Sequence, residues 1–357
     1  MGYSMVETGR TGQTERTGIV LDAKCLLHDP GPNHPESSKR LAVLMNAMQS
    51  APMKKLQLVS LDLRDASIEE IERVHTAAYV ERLERARGRR QIIDPDTMAG
   101  PRSFEAAVRA AGCAISATEA VARGDVRNAF ALVRPPGHHA RPDIGMGFCL
   151  FNNVAIAARH AQATLGMRRI AIVDFDVHHG NGTQEAFYAD PSVLYVSTHQ
   201  AMHFPGTGEL EETGEGAGVG RTLNIPLMAG HGDREYDAIY GGLIARVLEQ
   251  YRPDLILVSA GFDIFEADSY GGMQVSLTGI VQIAGHLKMT ADQVCDGRLV
   301  FVLEGGYHLG GLGEGVQACL QVLTGYRPVR ESRGPLMGLP LGDGIQAVAI
   351  AQRFFTL

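Results

Sequence analysis

The chain lacks most of the features that would take it away from ordinary globular chemistry. No run of about 18 apolar residues is present, so no segment reads as a membrane-spanning helix. The five cysteines, Cys25, Cys113, Cys149, Cys295 and Cys319, are scattered, with no CxxC pair and no even framework. That excludes a disulfide scaffold and reads as reduced thiols in a cytoplasmic protein. Basic residues are in deficit, 33 against 40 acidic, for a formal net charge of -7 and a pI near 6.0. The deficit argues against direct nucleic-acid binding and mildly favours cationic substrates. Repeats, low-complexity tracts and Pro/Ser linkers are missing, so one domain over 18–357 is expected. Residues 1–17 are polar and Thr/Gly-rich, without the hydrophobic core of a signal peptide, and read as a flexible leader. What remains, 357 residues with 45% hydrophobic and 20% charged, is the composition of a soluble globular protein.

Apolar, strand-like runs fall at 18–21, 128–133, 170–173, 193–196, 255–259 and 299–303. Helical patterns lie between them at 38–48, 67–86, 103–123, 154–164, 235–250 and 276–294, several with polar starts and glycine near the end. Strands alternating with helices predict an α/β protein with a mostly parallel central sheet covered on both faces.

The richest segment runs Ile170-Ala-Ile-Val-Asp174-Phe-Asp176-Val-His178-His179-Gly-Asn181-Gly182. A buried parallel strand does not end in unpaired carboxylates for packing reasons, because each costs several kcal/mol. On extended backbone Asp174, Asp176 and His178 point the same way, at the strand end where open α/β sheets bind ligands. An O,O,N cluster suits a divalent metal, zinc most naturally. Three other strands end in similar chemistry: Arg134-Pro-Pro-Gly-His138-His139, Ala260-Gly-Phe-Asp263 and Glu304-Gly-Gly306-Tyr307. Singly these read as a polar loop, a helix N-cap and a tight turn; four together at one sheet are not explained by packing. Asp176, His178 and Asp263 can supply three metal ligands and leave a position open. His138 and His139 would then act as acid–base groups partnered by Asp174 and Asn181, and Tyr307 would donate to an oxyanion. The pattern is that of metal-assisted hydrolysis of a carbonyl compound.

These motifs, with GFCLFNN at 147–153 and FPGTG at 204–208, resemble the histone deacetylase and acetylpolyamine amidohydrolase family over about 18–325. The resemblance implies a three-layer α/β/α arginase-deacetylase fold. It also implies zinc on Asp176, His178 and Asp263, with His139 as general base and then acid. By the same resemblance His138, paired with Asp174, orients water, and Tyr307 polarises the acyl carbonyl. Gly147, Phe148 and Phe204 line a tunnel for a lysine-like stem, Asp96 is a rim carboxylate for peptide N–H groups, and Tyr270 gates the mouth. Gly306 is expected to touch substrate, and Arg40 to lie near an acetate exit route. A structural potassium ion is implied at the backbone carbonyls of Asp174, Asp176 and His178 with Ser197. Hydroxamates are expected to inhibit, and oligomerisation is open.

Two positions subdivide the family. Asn181 stands where class I members carry Asp, which makes HHGNGT similar to the class II type, and Tyr307 stands where the weakly active class IIa members carry His. Active deacetylation of acylated lysine or a similar amine is therefore expected. Polyamine amides are the alternative within the same chemistry, and a noncatalytic acyl-lysine binder is the alternative outside it. Phe265 occupies the place of a second carboxylate that a dimanganese ureohydrolase needs, which sets that reading aside. The short 24–39 loop, lacking the insertion that acetylpolyamine amidohydrolases use to dimerise, favours an open rim. His75, His160 and His286 read as packing or surface residues, His179 as structural, Cys149 as a small core residue and Asp268 as a structural aspartate. Glu266 reads as solvated, and His199 and His203 as lying off the rim.

Overall fold

The structure is a computed structural model, and it describes residues 16–325 and 343–357. The expected leader therefore falls almost wholly outside the described residues. Its last residue, Thr17, opens the first strand and is buried.

Ten strands are present among the described residues: β1 (Thr17–Leu21), β2 (Val59–Ser60), β3 (Gln91–Asp94), β4 (Thr97–Ala99), β5 (Asn128–Leu132), β6 (Ile170–Asp174), β7 (Val193–Gln200), β8 (Thr222–Leu227), β9 (Leu255–Ala260) and β10 (Leu299–Leu303). Eight form one sheet in the order β2-β1-β5-β10-β9-β6-β7-β8, and every neighbouring pair is parallel. Every residue of β5, β6, β9 and β10 is buried, which is why these strands read as unbroken apolar runs rather than alternating ones. One helical layer contains Ser103–Arg123 packed on Asn153–Thr164; the other contains Leu277–Val294 and Lys39–Met48 packed on Leu309–Leu323. This is the expected three-layer α/β/α arrangement. A hairpin of β3 and β4 stands apart from the sheet.

The six expected strands are all present. The two added to the main sheet are at its edges: β2 has two residues, and β8 carries Pro226, which an edge strand tolerates. The helix expected over 67–86 is instead two helices, Ile68–Ile71 and Ala77–Glu84. Long-range contacts break it: His75 Nδ1 bonds the Arg141 carbonyl and its Nε2 accepts from Asn152 N–H, while Thr76 caps the second helix by accepting from Tyr79 N–H. The helix expected over 235–250 contains a π turn at Ile239–Ile244, where His286 packs so close to Gly241 that a Cβ there would meet its ring.

Candidate metal centre and active site

The strand order explains how four distant motifs meet. In the sheet β5, β10, β9 and β6 are consecutive neighbours. Their carboxyl ends therefore bring His138 and His139, Tyr307, Asp263, and the 174–178 segment side by side, at the place where parallel sheets present ligands.

Asp176, His178 and Asp263 are buried, and one ligand atom from each lies within 4.8 Å of the others. Backbone amides fix the carboxylates: Asp176 accepts from His178 N–H at 2.9 Å and Gly305 N–H at 2.8 Å, and Asp263 Oδ1 accepts from Val177 N–H at 2.9 Å. His178 Nδ1 lies 2.9 Å from Asp176 Oδ1 and 3.4 Å from Asp263 Oδ2. Asp263 Oδ2 is buried without a hydrogen-bond partner, the one carboxylate oxygen in that state among the described residues. Burial and then the Asp176 charge push the Asp263 carboxyl up to about 6, a sign that this pocket holds more negative charge than it can neutralise. A dication meets that need, and the two-oxygen, one-imidazole donor set suits zinc.

Asp174 does not join this cluster, contrary to the convergence that strand alternation suggests. β6 ends at Asp174, so the period of two no longer holds from Phe175 onward. Its Oδ2 instead bonds His138 Nδ1 at 3.0 Å and accepts from Tyr195 OH at 3.1 Å. Burial opposes charge on His138, but Asp174 and Asp176 outweigh it and push the imidazole up to about 10. His139, whose ring centroid is 4.0 Å away, goes the other way: burial, then the neighbouring His138 and His178, hold it well below its ordinary value. Its Nδ1–H donates to Asn181 Oδ1 at 2.8 Å, which leaves Nε2 as the free acceptor.

His139 and His178 line a cavity of about 280 Å³ with Asp96, Gly147, Phe148, His203, Phe204, Ser269, Tyr270 and Tyr307. Tyr307 is packed edge-on against Phe148 at 5.8 Å and tilted against Tyr270 at 4.7 Å, while Phe204 faces His139 at 5.1 Å. Gly147 has φ +54 and lies so close to His139 that a Cβ would collide with the ring. Phe148 also takes a positive φ of 69, an uncommon state for an aromatic residue, held by its N–H to Thr97 Oγ1 at 2.9 Å. Asp96 Oδ1 accepts from Gly147 N–H at 3.1 Å, so it ties this loop to the β3–β4 hairpin.

Gly306 is not among the residues lining the cavity; its carbonyl accepts from Arg40 Nε at 2.7 Å. Arg40 is buried, also donates to the Glu304 carbonyl at 2.6 Å, and sits 5.0 Å from the centre of the Tyr307 ring. Ser197 is the register partner of Asp174 across β6 and β7, and its hydroxyl meets His199 Nδ1 at 2.9 Å. His179 bonds Thr207 and Gln184, His160 and His286 are buried in helices, and Cys149 is wholly buried, as expected. All five cysteines are free and buried. Asp268 accepts from the N–H groups of Tyr307, His308 and Tyr270, the structural role expected of it.

His203 is a correction, because it lines the cavity rather than lying off the rim. Three further residues carry site geometry without having been singled out. His34 packs against Phe148 at 4.6 Å, Glu36 binds Arg40 and Arg134, and Glu304 accepts the N–H groups of Gly137 and His138. The i,i+4 spacing of Glu36 and Arg40 was the legible signal.

Residues 34–323 match the family described as histone deacetylase domain. The chain is 43% identical over 296 residues to a probable deacetylase of Archaeoglobus fulgidus, covering 83% of this chain and 82% of that protein. It is 39% identical over 318 residues to a histone deacetylase-like amidohydrolase of Pseudomonas aeruginosa, covering 82% of each. The crystal structure of the HDA15 HD domain superposes with a TM-score of 0.87 at 33% identity, covering 96% of this chain and 95% of that one. No helix among the described residues is long and apolar enough to cross a membrane.

Proposed function

The chain belongs to the histone deacetylase family, whose members are amidohydrolases, and from that premise we propose that it is a zinc-dependent deacetylase acting on acylated lysine or a similar primary amine. The observation that carries this reading is the buried Asp176–His178–Asp263 cluster with its unbonded carboxylate oxygen, set beside a cavity lined by His139 and Tyr307. These three residues would hold the metal. Zinc bound there supplies a Lewis acid for the acyl carbonyl and makes water a better nucleophile.

The remaining chemistry belongs to the side chains. His139, with Nδ1–H committed to Asn181, takes the water proton at Nε2 and returns it to the leaving amine nitrogen. His138, held by Asp174, orients the water and balances negative charge as it develops. The Tyr307 hydroxyl donates to the oxyanion. Phe148 and Phe204 sleeve the alkyl stem and keep bulk water from the reacting amide, and Asp96 and Tyr270 meet the substrate at the mouth. The amide C–N bond breaks, a C–O bond forms, and a carboxylate and an amine leave.

A structural potassium ion at the carbonyls of Asp174, Asp176 and His178 with Ser197, and a cytoplasmic location in keeping with five free thiols, belong to the same proposal. The test is a turnover screen of acetyl-lysine peptides, acetylputrescine, acetylspermidine and small acetamides with enzyme of verified zinc content. Turnover of acetyl-lysine that a hydroxamate abolishes is expected. Activity on polyamine amides alone would move the substrate class, and metal-loaded enzyme inert toward all of them would favour a noncatalytic binder.

A further inference from the structure

One edge of the tunnel mouth is held by a clip that the deacetylase chemistry does not require. His203 Nε2–H donates to the Tyr270 carbonyl at 2.9 Å, joining two of the loops that line the mouth. The same imidazole lies nearly parallel to His178, with centroids 5.1 Å apart and planes at 18°. Its own backbone is anchored, since Gly206 N–H donates to the His203 carbonyl at 2.8 Å and Ala201 N–H to the Leu227 carbonyl at 2.8 Å. On the other side Asp268 accepts from Tyr270 N–H at 3.0 Å and from Tyr307 N–H at 2.6 Å. Both backbone polar groups of Tyr270 are thereby held. The bonds run without a break from the ring stacked on a metal ligand, through Tyr270 and Asp268, to Tyr307.

We propose that His203 is a positioning and specificity-determining residue that fixes the width of the tunnel mouth through Tyr270. The inference rests on the deacylase reading and deepens it, naming slender, unbranched amine stems as the preferred substrates. Tyr270 closes one wall of an aromatic cage with Phe148 at 6.4 Å and Tyr307 at 4.7 Å. A stem thick enough to displace the Tyr270 segment itself would work against the His203 bond, whereas a linear alkyl stem would not need to move that segment. The neutral Nε2–H tautomer and the imidazolium both donate, so the clip does not depend on the charge of His203.

Two substitutions test this in the metal-loaded enzyme. His203→Phe keeps a ring over His178 but removes the donor; His203→Gln places an amide N–H near the position of Nε2. Hydrogen exchange of the 266–272 segment is expected to speed up about 2–10-fold in His203→Phe, the worth of one neutral hydrogen bond, and to return toward wild type in His203→Gln. In parallel, KM for an acetyl-lysine peptide should rise more than kcat falls. N-acetylbenzylamine should gain at least about threefold in kcat/KM relative to N-acetylbutylamine, again reversed by Gln. Unchanged exchange and selectivity in His203→Phe, or a Gln variant indistinguishable from Phe, would overturn the proposal. Should the wild type turn over no acyl amine, the functional reading fails, and the exchange comparison alone decides whether the clip exists.

Discussion

Replacing Glu36 by Gln should cost several kcal/mol of stability, because it removes the buried anion between Arg134 and Arg40. The Glu36 side chain is wholly buried and receives Arg134 in bidentate fashion, Nε at 2.8 Å and Nη2 at 2.7 Å, with Arg40 Nη1 at 3.2 Å and His28 Nε2 at 3.3 Å. Burial pushes His28 down to about 4, so it is neutral, and one carboxylate faces two guanidiniums. The carbonyls of Cys25, His28, Glu304 and Gly306 absorb the remaining positive charge. Gln keeps the shape but leaves both cations without a counter-ion, and breaking a buried pair in this way costs about 3–5 kcal/mol. With a specific unfolding entropy of about 2.1 cal/mol/K per residue, that loss lowers Tm by about 4–7 °C in a chain of this length. Thermal melts followed by circular dichroism give the number. The pH dependence has a definite sign. Burial would raise the Glu36 pKa, but Arg134, His28 once it is protonated in acid, and Arg40 hold it below the ordinary carboxylate value. Its contribution is therefore full above the ordinary carboxylate pKa and is lost as the pH falls through the lower folded value, so the gap between wild type and variant should narrow only in acid. A Tm within about 1 °C of wild type at neutral pH, or a gap that widens on acidification, would refute the reasoning.

Tyr307→Phe should retain its zinc, measured by metal analysis, yet lose roughly 10²–10³ in kcat, the usual cost of one oxyanion donor; a near-normal rate would remove Tyr307 from that role. Gly305→Ala places a Cβ against the carboxylates of Asp263 and Asp176, so zinc affinity, read by competition with a chromophoric chelator, should fall about 10–100-fold, and unchanged affinity counts against the ligand assignment. Stripping the metal should leave the sheet folded, because backbone amides already hold both carboxylates. Stability should fall only by the linkage term, about 4 kcal/mol at a thousandfold excess of metal over Kd, and a chelator-treated protein without secondary structure would contradict this.

How far the sequence carried depended on the range of the interaction that fixes each feature. β5, β6, β9 and β10 were legible because strands buried on both faces must be apolar throughout, and the polar residues that follow them stand out against that background. Their adjacency was not legible, since the order β5-β10-β9-β6 is settled by packing across nearly two hundred residues. The helices Asn181–Phe187 and Leu309–Leu323 escaped notice because glycine at 182, 310, 311, 313 and 315 lowers intrinsic propensity; burial against the sheet and its neighbours, and the His308 cap on Gly311 N–H, compensate. Asp174 misled the strand-alternation reading for a local reason, the end of β6 at that residue. His34 and His203 were hidden for a distant one: their partners, Phe148 and Tyr270, are more than sixty residues away.

The arrangement around Asp263 ties stability and chemistry together. Asp174, Asp176, Asp263 and Glu304 are all buried within a few residues of three strand ends, those of β6, β9 and β10, an expensive concentration of carboxylates. Asp174 is offset by His138 and Tyr195, Asp176 by two backbone N–H groups and His178, and Glu304 by the N–H groups of Gly137 and His138. Asp263 keeps one oxygen bonded and one without a hydrogen bond, and burial, then the Asp176 charge, raises its pKa. A separate backbone bond, from Val177 N–H, aims Asp263, so little would be left for a bound metal to organise. On the proposed function, such a scaffold would put its binding energy into holding the cation rather than into ordering the chain, with His138 already oriented by Asp174 and His139 held in its Nδ1–H tautomer by Asn181.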